Sequence, residues 1–273
     1  MRVAISNIAW QPQDDEHVAR LMAQHGVDAL EVAPTVCWPD PTVVSYREVV
    51  AYRKSWEARD VEIVAMQSLL YGHPELVIFG SDATREATLE YLDVMYRIAG
   101  WLGATRLVFG SPANRRAGDM PVEERTRIAV DFFHRAGEAA GRHGVQLCIE
   151  PNPPQYGCDF INTIEEGRAL VAAVDSSGFG LHLDAGGMEM QGEGKDAIAR
   201  AGVPAHFHVS EPFLAPLNPA TAHDEFADAL RRLGYTGICS IEARRPSDAP
   251  PLAAIQSNLS FAMRTYGAFE ERA

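Results

Sequence analysis

The chain alternates short apolar runs with longer amphipathic ones from end to end, and this alternation confines it to a parallel α/β architecture. Eight runs read as strands: residues 2–6, 27–32, 61–66, 106–109, 145–149, 179–183, 205–207 and 237–241. Helical spacing fills the intervals. Residues 14–25 carry Val18, Leu21 and Met22 on one face and stop at Gly26. Residues 43–59 form a second helix. Residues 84–102 align Leu89, Leu92, Met95, Tyr96 and Ala99 and close at Gly103. Pro121 opens a helix that runs to His143 and stops at Gly144, since a first-turn proline gives up no hydrogen bond. Thr163-Ile164-Glu165-Glu166 is a capping box before the next helix. A short helix at 195–201 and longer ones at 224–233 and 251–266 complete the series. Eight such units with right-handed crossovers close into a (β/α)₈ TIM barrel, whose ligands bind at the C-terminal ends of the strands. An open doubly wound sheet would show a Gly-rich phosphate turn after strand one, and here that strand ends Ser6-Asn7-Ile8-Ala9-Trp10. With no linker in sight, residues 1–273 are expected to form one barrel domain.

Glu150, Asp184, His208 and Glu242 each follow one of the last four strand runs. If those strands are neighbours, all four side chains reach the same end of the sheet. Three carboxylates and an imidazole are a ligand set for one divalent cation. The alternative is a salt-bridged rim. Against it, converging carboxylates repel unless a cation joins them or one is protonated, and these strand runs hold no lysine or arginine. Oxygen-rich ligands with one imidazole suit Mn²⁺ first, then Mg²⁺ or Co²⁺, and tolerate Zn²⁺ or Fe²⁺. Strand alternation places Cys148, His182, His206 and Ser240 directly beneath, as a polar layer that orients the ligands. His206 is the rival to His208 as ligand. His208 is preferred because it stands nearer the strand end.

The loops after the strands offer Trp10, Trp38, Gln67, Asn114, Asn152, Tyr156, Glu211 and Arg244 as contacts for a sugar or polyol. Glu211 is the leading polar candidate, and the two tryptophans suit the apolar face of a sugar ring. Glu31 reads as a substrate acceptor or a rim group, and His73 as a solvated loop residue. A cation bound to a carbonyl and its neighbouring hydroxyl eases removal of the proton between them and holds the resulting enediolate. Glu150 and Glu242 would take that proton and return it to another carbon or the other face. Loss of a β-hydroxyl instead would make the enzyme a lyase or dehydratase on a keto-sugar or cyclitol.

The stretches Ile149-Glu150-Pro151-Asn152, His182-Leu183-Asp184-Ala185-Gly186, His206-Phe207-His208-Val209-Ser210-Glu211 and Ile241-Glu242 resemble the sugar phosphate isomerase/epimerase family, within the xylose-isomerase-like TIM barrels. The likeness extends to Ala4-Ile5-Ser6-Asn7 and to the segment from Ala29 to Pro34. It implies, by similarity to ketose 3-epimerases, that Glu150 and Glu242 bind metal and move the proton while Asp184 and His208 complete the site. Three substrate contacts of those epimerases, a Glu, a His and an Arg, are replaced here by Tyr156, Gly187 and Leu214. The groups that grip a hexulose are therefore missing.

Composition narrows the partners. A formal charge of −13 repels phosphate backbones, so nucleic acid is not an expected ligand. The endonuclease IV kind of barrel would also need histidines that strand four lacks. A non-catalytic sugar-binding barrel would leave Glu150 or Glu242 free to vary, and both are present. No apolar run approaches membrane-spanning length, and Met1 enters a strand without a leader pattern. The expectation is a cytoplasmic enzyme acting on a small sugar or polyol. A homo-oligomer is compatible with the chain, and no sequence patch identifies an interface.

Overall fold

The computed structural model describes residues 1–245 and 251–267. Eight strands form a closed barrel in chain order: β1 (Arg2–Ser6), β2 (Ala29–Val32), β3 (Glu62–Met66), β4 (Arg106–Phe109), β5 (Gln146–Ile149), β6 (Phe179–Asp184), β7 (His206–Ser210) and β8 (Ile238–Glu242). Every pairing is parallel, and β8 returns to β1 with Ala4 opposite Ser240. Helices wrap the outside: α1 (Asp15–Gln24), α2 (Pro34–Cys37), α3 (Tyr46–Glu57), α4 (Asp82–Leu102), α5 (Val122–Arg142), α6 (Ile164–Val174), α7 (Ala185–Gln191), α8 (Lys195–Ala201), α9 (His223–Arg232) and α10 (Pro251–Tyr266). Among the described residues, no helix is long and apolar enough to cross a membrane.

Local chemistry sets most of these boundaries. The Thr163 box is formed, with Thr163 accepting from the Glu166 N–H and Glu166 accepting from the Thr163 N–H. Ser45 and Glu48 make a second box at α3, which is why that helix starts at Tyr46 rather than at residue 43. Pro121 caps α5 from just outside instead of occupying its first turn. Strand β7 runs three residues past the expected end at 207, because Val209 and Ser210 continue the alternation. His208 therefore sits in the middle of a strand.

Helix α7 has no counterpart in the sequence, where the only helix expected between the sixth and seventh strands is the one at 195–201. The Asp184 side chain caps it, accepting from the Gly187 N–H. Gly186 packs so closely on Glu211 that a Cβ there would lie 2.6 Å from the Glu211 carbonyl. Both glycines are thus tied to the strand end that carries Asp184.

The two faces of the barrel wall differ in kind. Outward residues such as Val3, Ile5, Leu181, Leu183, Phe207, Val209 and Ile241 join one large apolar core with the helices. Inward, a small cluster including Ala4, Ala29 and Ala65 is separate from that core. Higher up, the buried interior is polar: Ser6, Glu31, Gln67, His182, His206 and Ser240.

Candidate active site

Glu150 leaves β5 with its backbone already clamped. Its N–H donates to Phe109 O, and its carbonyl accepts from Arg115 Nη2 at 2.5 Å. Its side chain lies against Gly110, where any Cβ would collide with Glu150 Oε2. Asp184, the last residue of β6, is fixed at both oxygens. Oδ1 accepts from the Gly187 N–H at 2.6 Å and Oδ2 from the Ser210 hydroxyl. His208 stands between two carboxylates, with Nε2 3.0 Å from Glu31 Oε2 and Nδ1 3.1 Å from Glu242 Oε2. Glu242 Oε1 in turn accepts from Gln67 Nε2 at 2.7 Å.

The electrostatics follow from burial and crowding. Burial, Asp184 and Glu242 push the Glu150 carboxyl up to about 8. Burial and Glu242 push Asp184 up to about 6. Burial opposes charge on His208, yet Glu31 and Glu242 outweigh it and hold the imidazole well above its usual range. Burial likewise opposes charge on Glu31, and His208 and His206 hold it well below the carboxylate range. Burial and His208 push His182 well below, so it is neutral.

These features fit one divalent cation. One ligand atom each from Glu150, His182, Asp184 and His208 lies within 4.8 Å of all the others. His208 Nδ1 is buried without a hydrogen-bond partner, Glu242 being close but out of alignment, and both nitrogens of His182 are buried and unpartnered. A positive charge among the crowded carboxylates would relieve their repulsion. Glu31 accepting from Nε2–H fixes the tautomer that turns the Nδ1 lone pair inward, the usual carboxylate–histidine–metal relation. His206 is not in this group; its Nε2 lies 3.4 Å from Glu31 Oε1.

A cavity of about 350 Å³ opens above these residues. Glu150, Asp184, His208 and Glu242 line it with Gln67, Asn152, Tyr156 and Arg244. Ser68, Ser111, Phe213 and Leu214 complete much of its rim. Tyr156 meets Phe213 edge to face, and its hydroxyl accepts the Phe213 N–H at 2.8 Å. Phe213 is 62% exposed, and both it and Leu214 hold φ at +59°, a conformation that branched or bulky residues seldom adopt.

Four expected substrate contacts are not brought to the cavity. Trp10 is buried and donates its indole N–H to Asp15, because the 3₁₀ turn Asn7–Ala9 carries it under α1 and against Trp56. Trp38 packs edge-on against Tyr52 of α3. The Glu211 carboxylate is turned away, accepting from Asn218 N–H and the Thr221 hydroxyl and facing His223. Asn114 donates to the carbonyls of His73 and Leu76 and so braces a loop, and His73 pairs with Glu75. Conversely, Glu31 is neither rim nor substrate acceptor: it is buried and holds His208 from across the barrel. Ser210 was overlooked, although its place two residues after His208 put it on the same face. Arg115 was overlooked too, and no pattern in the sequence marks it.

Comparison with known proteins agrees with this architecture. No match appears among curated proteins. The fold is similar to a D-psicose 3-epimerase solved in the presence of D-fructose, with 19% identity, a TM-score of 0.80, and 98% of this chain and 100% of that one covered. It is also similar to the IOLI protein solved with a zinc atom, at 18% identity and a TM-score of 0.76 over 97% and 98% of the two chains. A third similar structure is the apo 3-keto-D-glucoside 4-epimerase of E. coli, at 17% identity and a TM-score of 0.77 over 94% and 97%. Residues 19–265 match a family model described as xylose isomerase-like TIM barrel, and the chain belongs to that family.

Proposed function

We propose that this protein is a divalent-metal-dependent sugar isomerase or epimerase, with Glu150 and Glu242 as its proton-transferring pair. The observation that carries the reading is the shared cavity: two carboxylates, each separately oriented, open onto the same space as Asp184 and His208. Support comes also from the similar structures, which include a 3-epimerase and a 4-epimerase of sugars and one protein with bound zinc.

Glu150, Asp184, His208 and Glu242 would hold the cation. When bound, it draws charge from a carbonyl and its adjacent hydroxyl, so the C–H between them becomes more acidic. The rest falls to the chain. A Glu150 carboxylate oxygen takes the proton from carbon, and Glu242 returns one at the second position, each step assisted by about 10²–10⁴ in rate. The Gln67 N–H holds Glu242 Oε1 so that its other oxygen is the one free to move a proton. Arg115 and Gly110 keep Glu150 in place. The Tyr156 hydroxyl accepts from Phe213 and can donate its own hydrogen to a substrate oxygen. Asn152 and Arg244 offer further polar contacts at the mouth.

The test is elemental analysis together with proton–deuterium exchange over a panel of ketoses, aldoses and inososes with added Mn²⁺. One metal per chain and exchange at one substrate carbon are expected, with exchange abolished in Glu242→Gln. A protein that binds no metal, or that exchanges no substrate proton across the panel, would rule the reading out.

A further inference from the structure

We infer that His182 is a second imidazole ligand of the cation, beside His208, and that it tilts the site toward Zn²⁺ and away from Mn²⁺ or Mg²⁺. This rests on the metal-site reading above and deepens it.

The starting observation is an orphan. Both ring nitrogens of His182 are buried, and neither has a hydrogen-bond partner. A neutral imidazole carries one donor and one acceptor, and leaving a buried polar group unpaired costs about 1–3 kcal/mol. Native interiors rarely leave such groups unpaired without a reason. The ring neighbours of His182, two other imidazoles, supply none. The ring centroids of His208 and His206 lie at 4.2 and 5.4 Å, with His208 meeting it at 73°.

Position supplies the second argument. His182 precedes Asp184 by two residues on β6 and so faces the same interior. One of its nitrogens lies within 4.8 Å of carboxylate oxygens of Glu150 and Asp184 and of a nitrogen of His208. Donors around a tetrahedral ion with bonds near 2.1 Å stand about 3.4 Å apart, so the group would need to contract by little more than an ångström. Glu242, held through Oε1 by Gln67, remains a fifth donor, which zinc accommodates on expanding from four. His206 has two unpartnered buried nitrogens as well, but its Nε2 faces Glu31 at 3.4 Å and it does not join the carboxylate group. Imidazole suits zinc, iron and copper, whereas carboxylate and water suit magnesium and manganese. Two imidazoles therefore change the chemistry of the site, not only its affinity.

Zinc outbinds manganese at most nitrogen and oxygen sites, so a bare preference decides nothing. The decisive readout is the number of imidazoles on the ion. X-ray absorption of the full-length, zinc-loaded protein is expected to show two imidazoles plus oxygen ligands. One imidazole would overturn the inference while leaving the metal site standing. Three would overturn it in favour of the cluster of His182, His206 and His208. Failure of the unmodified protein to bind any metal would sink both the inference and the proposed function. Competition between Zn²⁺ and Mn²⁺ in His182→Gln, with folding checked by circular dichroism, adds an independent arm. Zinc affinity should fall by about tenfold or more relative to manganese. An unchanged zinc-to-manganese ratio in the folded variant would also overturn the assignment.

Discussion

The two sides of β6 and β7 are one residue apart in sequence and opposite in character. Leu181, Leu183, Phe207 and Val209 face outward into the apolar core, where each buried side chain adds about 1.5–3 kcal/mol. His182, Asp184, His206 and His208 face inward, equally buried, with unpartnered nitrogens and a carboxyl displaced by its neighbours. The outer side obeys every rule of burial and the inner side breaks several. The same strands therefore stabilise the fold on one side and hold a destabilised, reactive cluster on the other.

If that division is right, mutations on the two sides should have opposite signatures. Glu150→Gln should lower substrate proton exchange by about 10²–10⁴ or more, since the transferring group is lost. The same change should raise the melting temperature of the metal-free protein, because one of three crowded carboxylates is gone. Its pH dependence sharpens the point. A folded carboxyl near 8, against an ordinary 4.5, contributes stability below 4.5 that is lost as pH rises toward 8. Metal-free melting temperature should thus fall on going from about pH 6 to 9, and less steeply in Glu150→Gln. A variant that melts lower than the parent across that range would break the comparison.

On the outer side, Phe207→Ala should cost about 3–5 kcal/mol in denaturant unfolding, while metal bound per folded chain stays constant. A drop in metal stoichiometry at equal folded fraction would show that the two sides are not separable. Glu31→Gln tests the inner layer one step from the metal. Calorimetric titration should find cation affinity reduced about 10–100-fold, as His208 loses the acceptor that sets its tautomer. The smallest effect is expected at the rim. Tyr156→Phe removes the acceptor of the Phe213 N–H and should cost about 0.5–1.5 kcal/mol, read as faster amide exchange at Phe213.

Which parts could be read from the sequence follows the same division. The outward face announces itself, because apolar runs between amphipathic segments locate the strands and helices to within a few residues. Glu150, Asp184 and Glu242 were legible as polar residues that close such runs. Glu31 was visible as a residue, but its role was hidden, since its partner His208 is brought to it only by barrel closure. The tryptophans misled for a local reason: Trp10 follows a tight turn that directs it under α1, and side-chain direction after a turn is not periodic. Helix α7 carries no legible signal, because its glycines are poor helix formers and the close approach to Glu211 that requires Gly186 exists only in the folded barrel.

Arg115 has a further consequence, and it concerns how the barrel assembles. It sits in the turn after β4, in the first half of the chain, with its guanidinium fully buried. One nitrogen donates to Gly110 O, on its own side of the divide. The others reach the carbonyls of Glu150 and Phe160 and the Asn152 amide oxygen, all from the second half. A half-barrel ending before β5 would therefore leave this cation without those acceptors, and would gain nothing from burying it. The four-strand halves are joined by a seam that rewards only completion. Cutting the chain between α5 and β5 should yield fragments that gain order on mixing rather than alone, with the geometry of Glu150 appearing only as the seam closes.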